Sequence, residues 1–541
     1  MFVKLLFSIL IFFVPLSFAA TEPWAFFNFQ LIASFLFVYL LFTEKKFKFT
    51  LPAILINIIF ILFIVVAVVQ IINHHTIIQK GNILPFTVSP FNTLKELNCM
   101  FVYFMFFIVA NQLFYKSDKI KNILYLITVS SAIVMFIGLC FPAGEYIKFF
   151  LGIENFGNFG PFINRNNAGI FLSMSFFIMI SFVFYNFLIY PKYLSENKKS
   201  KFISVQIANI TISLLLLVSV ILTRSRGAML STAISLFVFL ILYIYHFSKT
   251  FRQKLFRMLV VFLIMLPIGF FLYKNIDAIN VFSQRTTGTS EQIRLKLYDM
   301  SLKILKDYPL TGIGFASFPV VTDKYFEEDL NAYPEYLHND WLELLLDVGY
   351  PIYTIFLIVV CIIMFVFLKR IKLLSNKKKI SFIGLFAACC SVCIGSLVDF
   401  HFHIPAVAML FVICLALLSS LSFYKDRKFF GFNNNLFLNL IFCSAIIFLL
   451  CFSFKNVMAW KYYTFSKNMT KQQEIEYLDK AIKLSNNPKY IENYIITIYN
   501  HSLEKQEIPG ENEYLCSIVY DYIKKYPYNK KISKIFIKIS D

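Results

Sequence analysis

Long apolar runs separated by short polar segments set the pattern of this chain. Runs of about 18 or more residues recur near 3–20, 24–43, 50–73, 98–115, 121–141, 168–190, 203–222, 227–247, 256–273, 351–369, 380–398, 404–424 and 434–455. Each is long enough to cross a hydrocarbon core of roughly 30 Å. A span must satisfy its backbone groups internally, so these runs read as helices. The short alternating segments of a barrel are missing from the pattern. The first run also fits a cleavable signal segment, with Ser17-Phe18-Ala19 as a small-residue cleavage site and Lys4 as a thin basic flank. Either reading predicts an all-α polytopic membrane protein with about twelve to thirteen transmembrane helices.

Two stretches depart from that rhythm. Residues 274–350 form one long loop between helices, dividing residues 1–273 from a second transmembrane group, 351–455. Residues 456–541 form a more polar tail with apolar positions at helical spacing from Ile475 to Leu484. Asn486-Asn487-Pro488 interrupts that spacing, Tyr490 to Tyr499 resumes it, and Tyr526-Pro527 breaks it again. This alternation resembles tetratricopeptide-type hairpins. A generic small helical domain would give it too.

Composition agrees with a membrane protein and adds orientation. The 541 residues are 58% hydrophobic and only 15% charged, too few charges to coat a water-facing surface of that size. The net charge of +20 comes largely from lysines in alternate short loops, such as Lys45/Lys46/Lys48, Lys198/Lys199/Lys201 and Lys377/Lys378/Lys379. That asymmetry puts the rich loops in the cytoplasm and the loop 274–350, the segment 399–403 and the tail outside. It implies contact with membrane lipids, not nucleic acid. The ten cysteines lie mostly inside runs and read as small apolar residues. Cys389, Cys390 and Cys393 lack a second ligand pair at metal-binding spacing.

Four polar segments fall on the outer side: 160–168, with Asn164 and Arg165; 223–228, with Arg224 and Arg226; the long loop, with Arg294, Pro309-Leu310-Thr311-Gly312-Ile313-Gly314 and His338-Asn339-Asp340; and 399–405, with His401 and His403. A guanidinium presents a planar fork of donors to phosphate oxygens and keeps its charge. Arg226 and Arg294 could therefore hold a lipid-linked diphosphate and stabilise its charge as the bond to it breaks. An imidazole ordinarily titrates near working pH, so His338 could take a proton from an incoming hydroxyl. Each has a structural alternative. Arg224 and Arg226 could snorkel into headgroups. Arg165 could orient its segment or bind lipid, and His338 could cap or anchor the helix that starts near Asn339. His401 and His403 read as structural or interfacial. His74 and His75 are loop residues without an evident partner, and Glu327-Glu328-Asp329 reads as a solvated face. Gly312 and Gly314 are too sparse for a nucleotide loop.

Taken in order, these segments resemble the O-antigen ligase/polymerase superfamily. The matching residues are Asn164-Arg165-Asn166, Ser225-Arg226-Gly227-Ala228, Arg294 with Tyr298, Pro309 to Gly314, and His338-Asn339 with Leu342. Asp399-Phe400 and Ile404-Pro405-Ala406 resemble a further pattern of some members. The resemblance covers roughly residues 150–420. It implies a GT-C-like glycosyltransferase in the bacterial inner membrane, with its active site and tail in the periplasm. The donor would be a glycan on undecaprenyl diphosphate, held by Arg226 and Arg294, and His338 would activate the acceptor. Neither a cofactor nor a metal is expected. The acceptor could be a lipid A–core sugar (ligase), the end of another glycan (polymerase) or a Ser/Thr of a protein (protein O-oligosaccharyltransferase). The tail could bind a protein partner. One departure stands out, since many relatives carry Glu where Asp347 precedes Val348-Gly349 here. It puts the site role of Asp347 in doubt.

Two readings from other classes stay open on the residues alone. A transporter or flippase would call for inverted repeats and paired Gly/Pro-broken spans, which the pattern lacks. A membrane scaffold presenting the tail would leave the outer Arg/His set without a purpose. The enzyme reading requires Arg226, Arg294 and His338 to surround one site.

Overall fold

The computed structural model describes residues 2–75, 83–115, 120–141, 145–151, 157–189, 196–259, 289–325, 334–422, 430–505 and 513–540. Most of the run 256–273 and all of Glu327-Glu328-Asp329 lie outside the described residues. From the N-terminus the helices are α1 (Phe2–Leu16), α2 (Pro23–Thr43), α3 (Leu51–Ile72), α4 (Pro90–Phe114), α5 (Ile120–Cys140) and α6 (Glu145–Leu151). Next come α7 (Arg165–Ile189), α8 (Glu196–Leu222), α9 (Arg226–Phe247), α10 (Thr289–Asp307) and α11 (Phe318–Tyr325). The last apolar helices are α12 (Asp340–Ile371), α13 (Asn376–Gly395), α14 (Pro405–Leu421) and α15 (Leu436–Ser466). The tail contains α16 (Lys471–Leu484), α17 (Pro488–Glu504), α18 (Glu513–Lys525) and α19 (Lys530–Ser540). Ten of the described helices are long and apolar enough to span a bilayer, and α1 and α14 are shorter apolar helices. The protein is an all-α, multi-pass membrane protein. A two-stranded antiparallel sheet, β1 (Lys46–Phe49) with β2 (Phe430–Asn433), pairs Phe49 with Phe430 at the end of the bundle opposite His338.

α4 and α7 are the most buried of the spans, whereas α3, α12 and α15 turn most of their apolar surface outward. Lipid tails are as apolar as leucine, so helices gain little by hiding apolar side chains from them. Close approach and interhelical hydrogen bonds hold the centre instead. Ser173 on α7 meets Ser391 on α13 (Oγ···Oγ 2.6 Å), and Thr232 on α9 donates to Ser173 at 2.7 Å. Gly384 lets α13 lie against Ser181 and the Phe177 carbonyl of α7. Asn98 on α4 donates to Ser453 on α15 (2.9 Å) and accepts from Gln30 on α2 (2.9 Å). These contacts fix the rigid centre from which the loops at the His338 end project.

Inside the long loop, α10 and α11 lie over a second, smaller core. Leu297, Met300 and Ile304 of α10 recur at helical spacing and pack with Phe318, Leu337, Leu346 and Ile313. α12 does not start at the bilayer. Its first turns, from Asp340, belong to this outer layer. Gly349 (φ 73°, ψ 171°) and Pro351 then break the helix before the apolar stretch begins. The turn Pro309–Gly314 seats on that break, with Ile313 N–H donating to Leu346 O at 2.8 Å and Tyr350 N–H to Pro309 O at 2.8 Å. A Cβ on Gly312 (φ 65°) would strike the Leu346 carbonyl, so the glycine serves close packing of two backbones.

Candidate active site

Three elements from distant parts of the chain meet at the end of α13. The segment 396–404 leaves α13 and carries Asp399, the start of α7 brings Asn166 and Asn167, and the start of α12 brings His338. The approach to α12 is set by Asn339, the N-cap, whose side chain accepts from Leu342 N–H at 3.0 Å. His338 therefore does not cap this helix. It adopts a left-handed backbone (φ 59°), a conformation that costs a non-glycine residue about 1–2 kcal/mol. Its carbonyl accepts from Tyr298 Oη–H at 3.0 Å, and its ring packs edge-on against Phe400 with centroids 4.9 Å apart. The strained turn thus projects the imidazole toward Asp399, with 31% of the side chain exposed.

The imidazole Nδ1 lies 2.9 Å from Asp399 Oδ1. Asp399 is nearly enclosed, yet it also accepts from Asn166 Nδ2 (2.5 Å) and from Phe400 N–H (3.0 Å). Arg294 Nη2 stands 3.6 Å from its second oxygen. Burial would raise the Asp399 pKa, but the His338 hydrogen bond and the nearby His401, His338 and Arg294 charges outweigh it and hold the pKa at about 2. An ionised carboxylate can only accept, so Asp399 takes the Nδ1–H of His338 and, in the neutral imidazole, leaves the Nε2 lone pair facing away. An imidazole so placed is oriented to act as a base.

Arg294 and Tyr298 are one turn apart on α10, so the helix delivers the guanidinium and the tyrosine hydroxyl to the same place. Arg226 opens α9. Its neighbour Gly227 abuts Val398, the residue before Asp399, with 3.0 Å left for a Cβ against Val398 Cγ2. Arg224, two residues earlier, has a left-handed backbone (φ 55°) in the tight turn between α8 and α9. Asn164 accepts from Asn166 N–H at 2.9 Å and so shapes the turn that aims Asn166 at Asp399. Arg165 begins α7, its backbone N–H bonded to Gly157 O at 2.8 Å.

His401 is buried and donates from Nδ1 to Asn167 Oδ1 at 2.6 Å. Burial, reinforced by Arg294 and His338, lowers its pKa to about 4 despite Asp399, so it stays neutral at neutral pH. His403 faces the other way. Its Nε2 lies 3.6 Å from both Asp340 Oδ1 and Glu343 Oε1, and its Nδ1 lies 3.9 Å from Glu96. Burial disfavours its charge, but Glu343, Glu96 and Asp340 together raise its pKa. The same carboxylates tie the layer down: Asp340 accepts from His401 N–H (2.8 Å) and Phe402 N–H (3.1 Å), and Glu343 from Leu337 N–H (2.9 Å). Asp347 sits elsewhere. Its carbonyl accepts from Gln70 Nε2 at 2.8 Å beneath the 312–316 turn, and none of its described contacts reaches His338. Among the described residues no three His, Cys, Asp or Glu side chains converge to hold a metal ion.

Of the sequence candidates, His338 and Arg294 meet through Asp399, while Arg226 starts the helix that abuts the same segment. The residues that sequence reasoning did not single out are Asp399, Asn166 and Tyr298. Their only signal was membership in the quoted motifs.

No curated protein matches the chain. The family pattern for O-antigen ligase matches residues 211–357, the stretch from α8 to the middle of α12 that carries Arg226, Arg294 and His338. That match over about a quarter of the chain, together with the multi-pass helical fold, makes the chain similar to the O-antigen ligase family and supports its membership of the O-antigen ligase/polymerase superfamily.

Proposed function

We propose that this protein moves a glycan from undecaprenyl diphosphate to a hydroxyl acceptor at the periplasmic face of a bacterial inner membrane. The observation that carries the reading is the Asp399–His338 pair at 2.9 Å with Arg294 beside it at 3.6 Å. The acceptor hydroxyl gives its proton to His338 Nε2 as its oxygen attacks the anomeric carbon. The bond between that carbon and the diphosphate oxygen breaks, and undecaprenyl diphosphate leaves with the electron pair. Arg294 and Arg226 stabilise the charge that grows on it. Asp399 keeps the imidazole in the useful tautomer and stabilises the imidazolium that forms, as the carboxylate of a Ser-His-Asp triad does. Asn166 and Tyr298 hold the carboxylate and the His338 backbone in register. The chemistry asks nothing of a cofactor.

The test is the surface-glycan profile of a deletion strain complemented with wild type or with His338→Ala, both shown by immunoblot to reach the membrane equally. The expected result is a glycan that wild type restores and the variant does not. The missing species names the acceptor: lost capping of lipid A–core means a ligase, collapse to single repeats a polymerase, and a lost glycoprotein a protein transferase. Full restoration by His338→Ala would overturn the mechanism.

A further inference from the structure

Away from the candidate active site, the tail roofs a cleft of about 420 Å³ against the end of α3, the start of α4 and the middle of α15. Its inner wall is apolar, with Leu94 of α4 and Phe452 of α15, and its outer part carries His74, His75, Lys455 and Lys525. Not one Asp or Glu lines it. Among the described residues neither Lys455 nor Lys525 makes an ion pair. Lys455 sits on α15, a candidate bilayer-spanning helix, and Lys525 ends the tail helix α18. Both lysines are exposed, one on the helical bundle and one on the tail, and they face one space that holds no carboxylate. That space is locally positive and attracts an anion. The tail is tethered at the same place by Ser485 Oγ donating to Asn456 Oδ1 at 2.6 Å.

We propose that this cleft binds the phosphate headgroup of an anionic membrane lipid, clamping the tail to the helical bundle. The occupant is set by the division of the lining. The apolar wall continues the surface of spanning helices and suits an acyl chain, whereas the lysines and histidines at the rim suit a phosphate. Glycans without charge gain nothing from the lysines, and a soluble anion gains nothing from Leu94 and Phe452. The site lies on the face of α4 that carries Leu94, while Glu96 points toward His403. It is therefore separate from Asp399 and His338, and it does not depend on the transferase reading.

The full chain in neutral detergent is titrated with a fluorescent phosphatidylglycerol, with phosphatidylcholine and sodium phosphate as competitors. Saturable binding that neither competitor displaces supports the proposal. Lys455→Glu/Lys525→Glu is expected to weaken binding roughly tenfold or more, since each lysine near an anionic headgroup matters on the order of fivefold or more. Lys46→Glu/Lys377→Glu, the same charge change at the opposite end, leaves it unaltered. Lys455→Gln/Lys525→Gln, which adds no repulsion, serves where the glutamates disturb folding, and a clear loss is expected there too. Displacement by phosphate alone would make this a free-anion site and overturn the lipid assignment. Equal displacement by phosphatidylcholine, or unchanged binding in both lysine pairs, would overturn the proposal.

Discussion

At the scale of single residues, the candidate site rests on a carboxylate whose charge is kept by its neighbours. Asp399 is nearly enclosed, and its low pKa of about 2 comes from partners outweighing burial. Replacing it with Asn keeps the shape but removes the reason for the Nδ1–H tautomer. Asp399→Asn is therefore expected to lower turnover by about 10²–10⁴-fold, with acceptor KM little changed. An assay with purified enzyme and lipid-linked donor would check this, and a KM effect without loss of kcat would sink it. Arg294 poses a different question, because it touches Asp399 and is also proposed to face the donor. Lys keeps the positive charge but not the planar fork. If Arg294 binds diphosphate bidentately, Arg294→Lys should lose most of the activity that Arg294→Ala loses. Near-wild-type activity in the lysine variant would reduce Arg294 to a simple counter-charge for Asp399.

At the scale of elements, the outer layer is a set of short turns fastened to rigid helices. His403 is one fastener, with its raised pKa set by Glu343, Glu96 and Asp340 against the pull of burial. A histidine whose folded pKa exceeds its unfolded value of about 6.5 contributes stability that is full below that value and lost as pH rises through the folded one. The gap in Tm between wild type and His403→Gln should then shrink as pH rises toward 9. It should also shrink as pH falls below about 6, where Asp340 and Glu343, whose pKa values burial raises to about 6 and about 7, take up protons. A gap that grows as pH rises toward 9 would refute the ion-pair account. Gly349 is a second fastener: at φ 73° a Cβ would come within 2.6 Å of the Leu310 carbonyl. Gly349→Ala is expected to destabilise by about 1–3 kcal/mol, read as a lowered Tm in detergent.

Much of this level was legible in the sequence, since apolar length predicts a spanning helix directly. Each described spanning helix overlies a predicted run. The break at Gly349-Tyr350-Pro351 also announces itself through residue type. The meeting of elements was not legible. Asp399 lies 61 positions from His338 and 233 from Asn166, and nothing in a linear pattern says that α7 and α13 pack side by side. His338 and Arg294 stood out because ionisable groups are rare beside a bilayer. Asp399 did not, because an aspartate after a span also reads as an ordinary loop residue. The capping role was misleading for a related reason: a polar run before a helix offers several capping candidates, and only geometry selects Asn339.

At the scale of the whole molecule, the tail joins the layer that carries the candidate base. Lys489 of α17 pairs with Glu335, three residues before His338, at 3.0 Å. Lys530 N–H donates to Asp323 of α11 at 3.1 Å, and Lys324 lies over the Tyr528 ring at 5.3 Å. Val320 of α11 packs against both the outer-layer core and the tail core, and Tyr528 joins the former. The two kinds of contact should not weigh equally. The side chains of Lys489 and Glu335 are 61% and 68% exposed, and a pair of that exposure is typically worth under about 1 kcal/mol. Val320 is a shared apolar contact, and a charge there would have to be buried or would prise the layers apart. Val320→Asp is therefore expected to free the tail, seen as faster amide exchange in α16–α19 and faster proteolysis of the tail. Lys489→Ala should leave both rates within about threefold of wild type, the most that a pair so exposed can hold back. If the lysine variant loosens the tail as much as the valine variant, the docking is electrostatic, and it should then weaken with salt. If neither does, the lipid clamp at Lys455 and Lys525 carries the attachment, and the two lysine pairs become the decisive variants for tail exchange as well as for lipid binding.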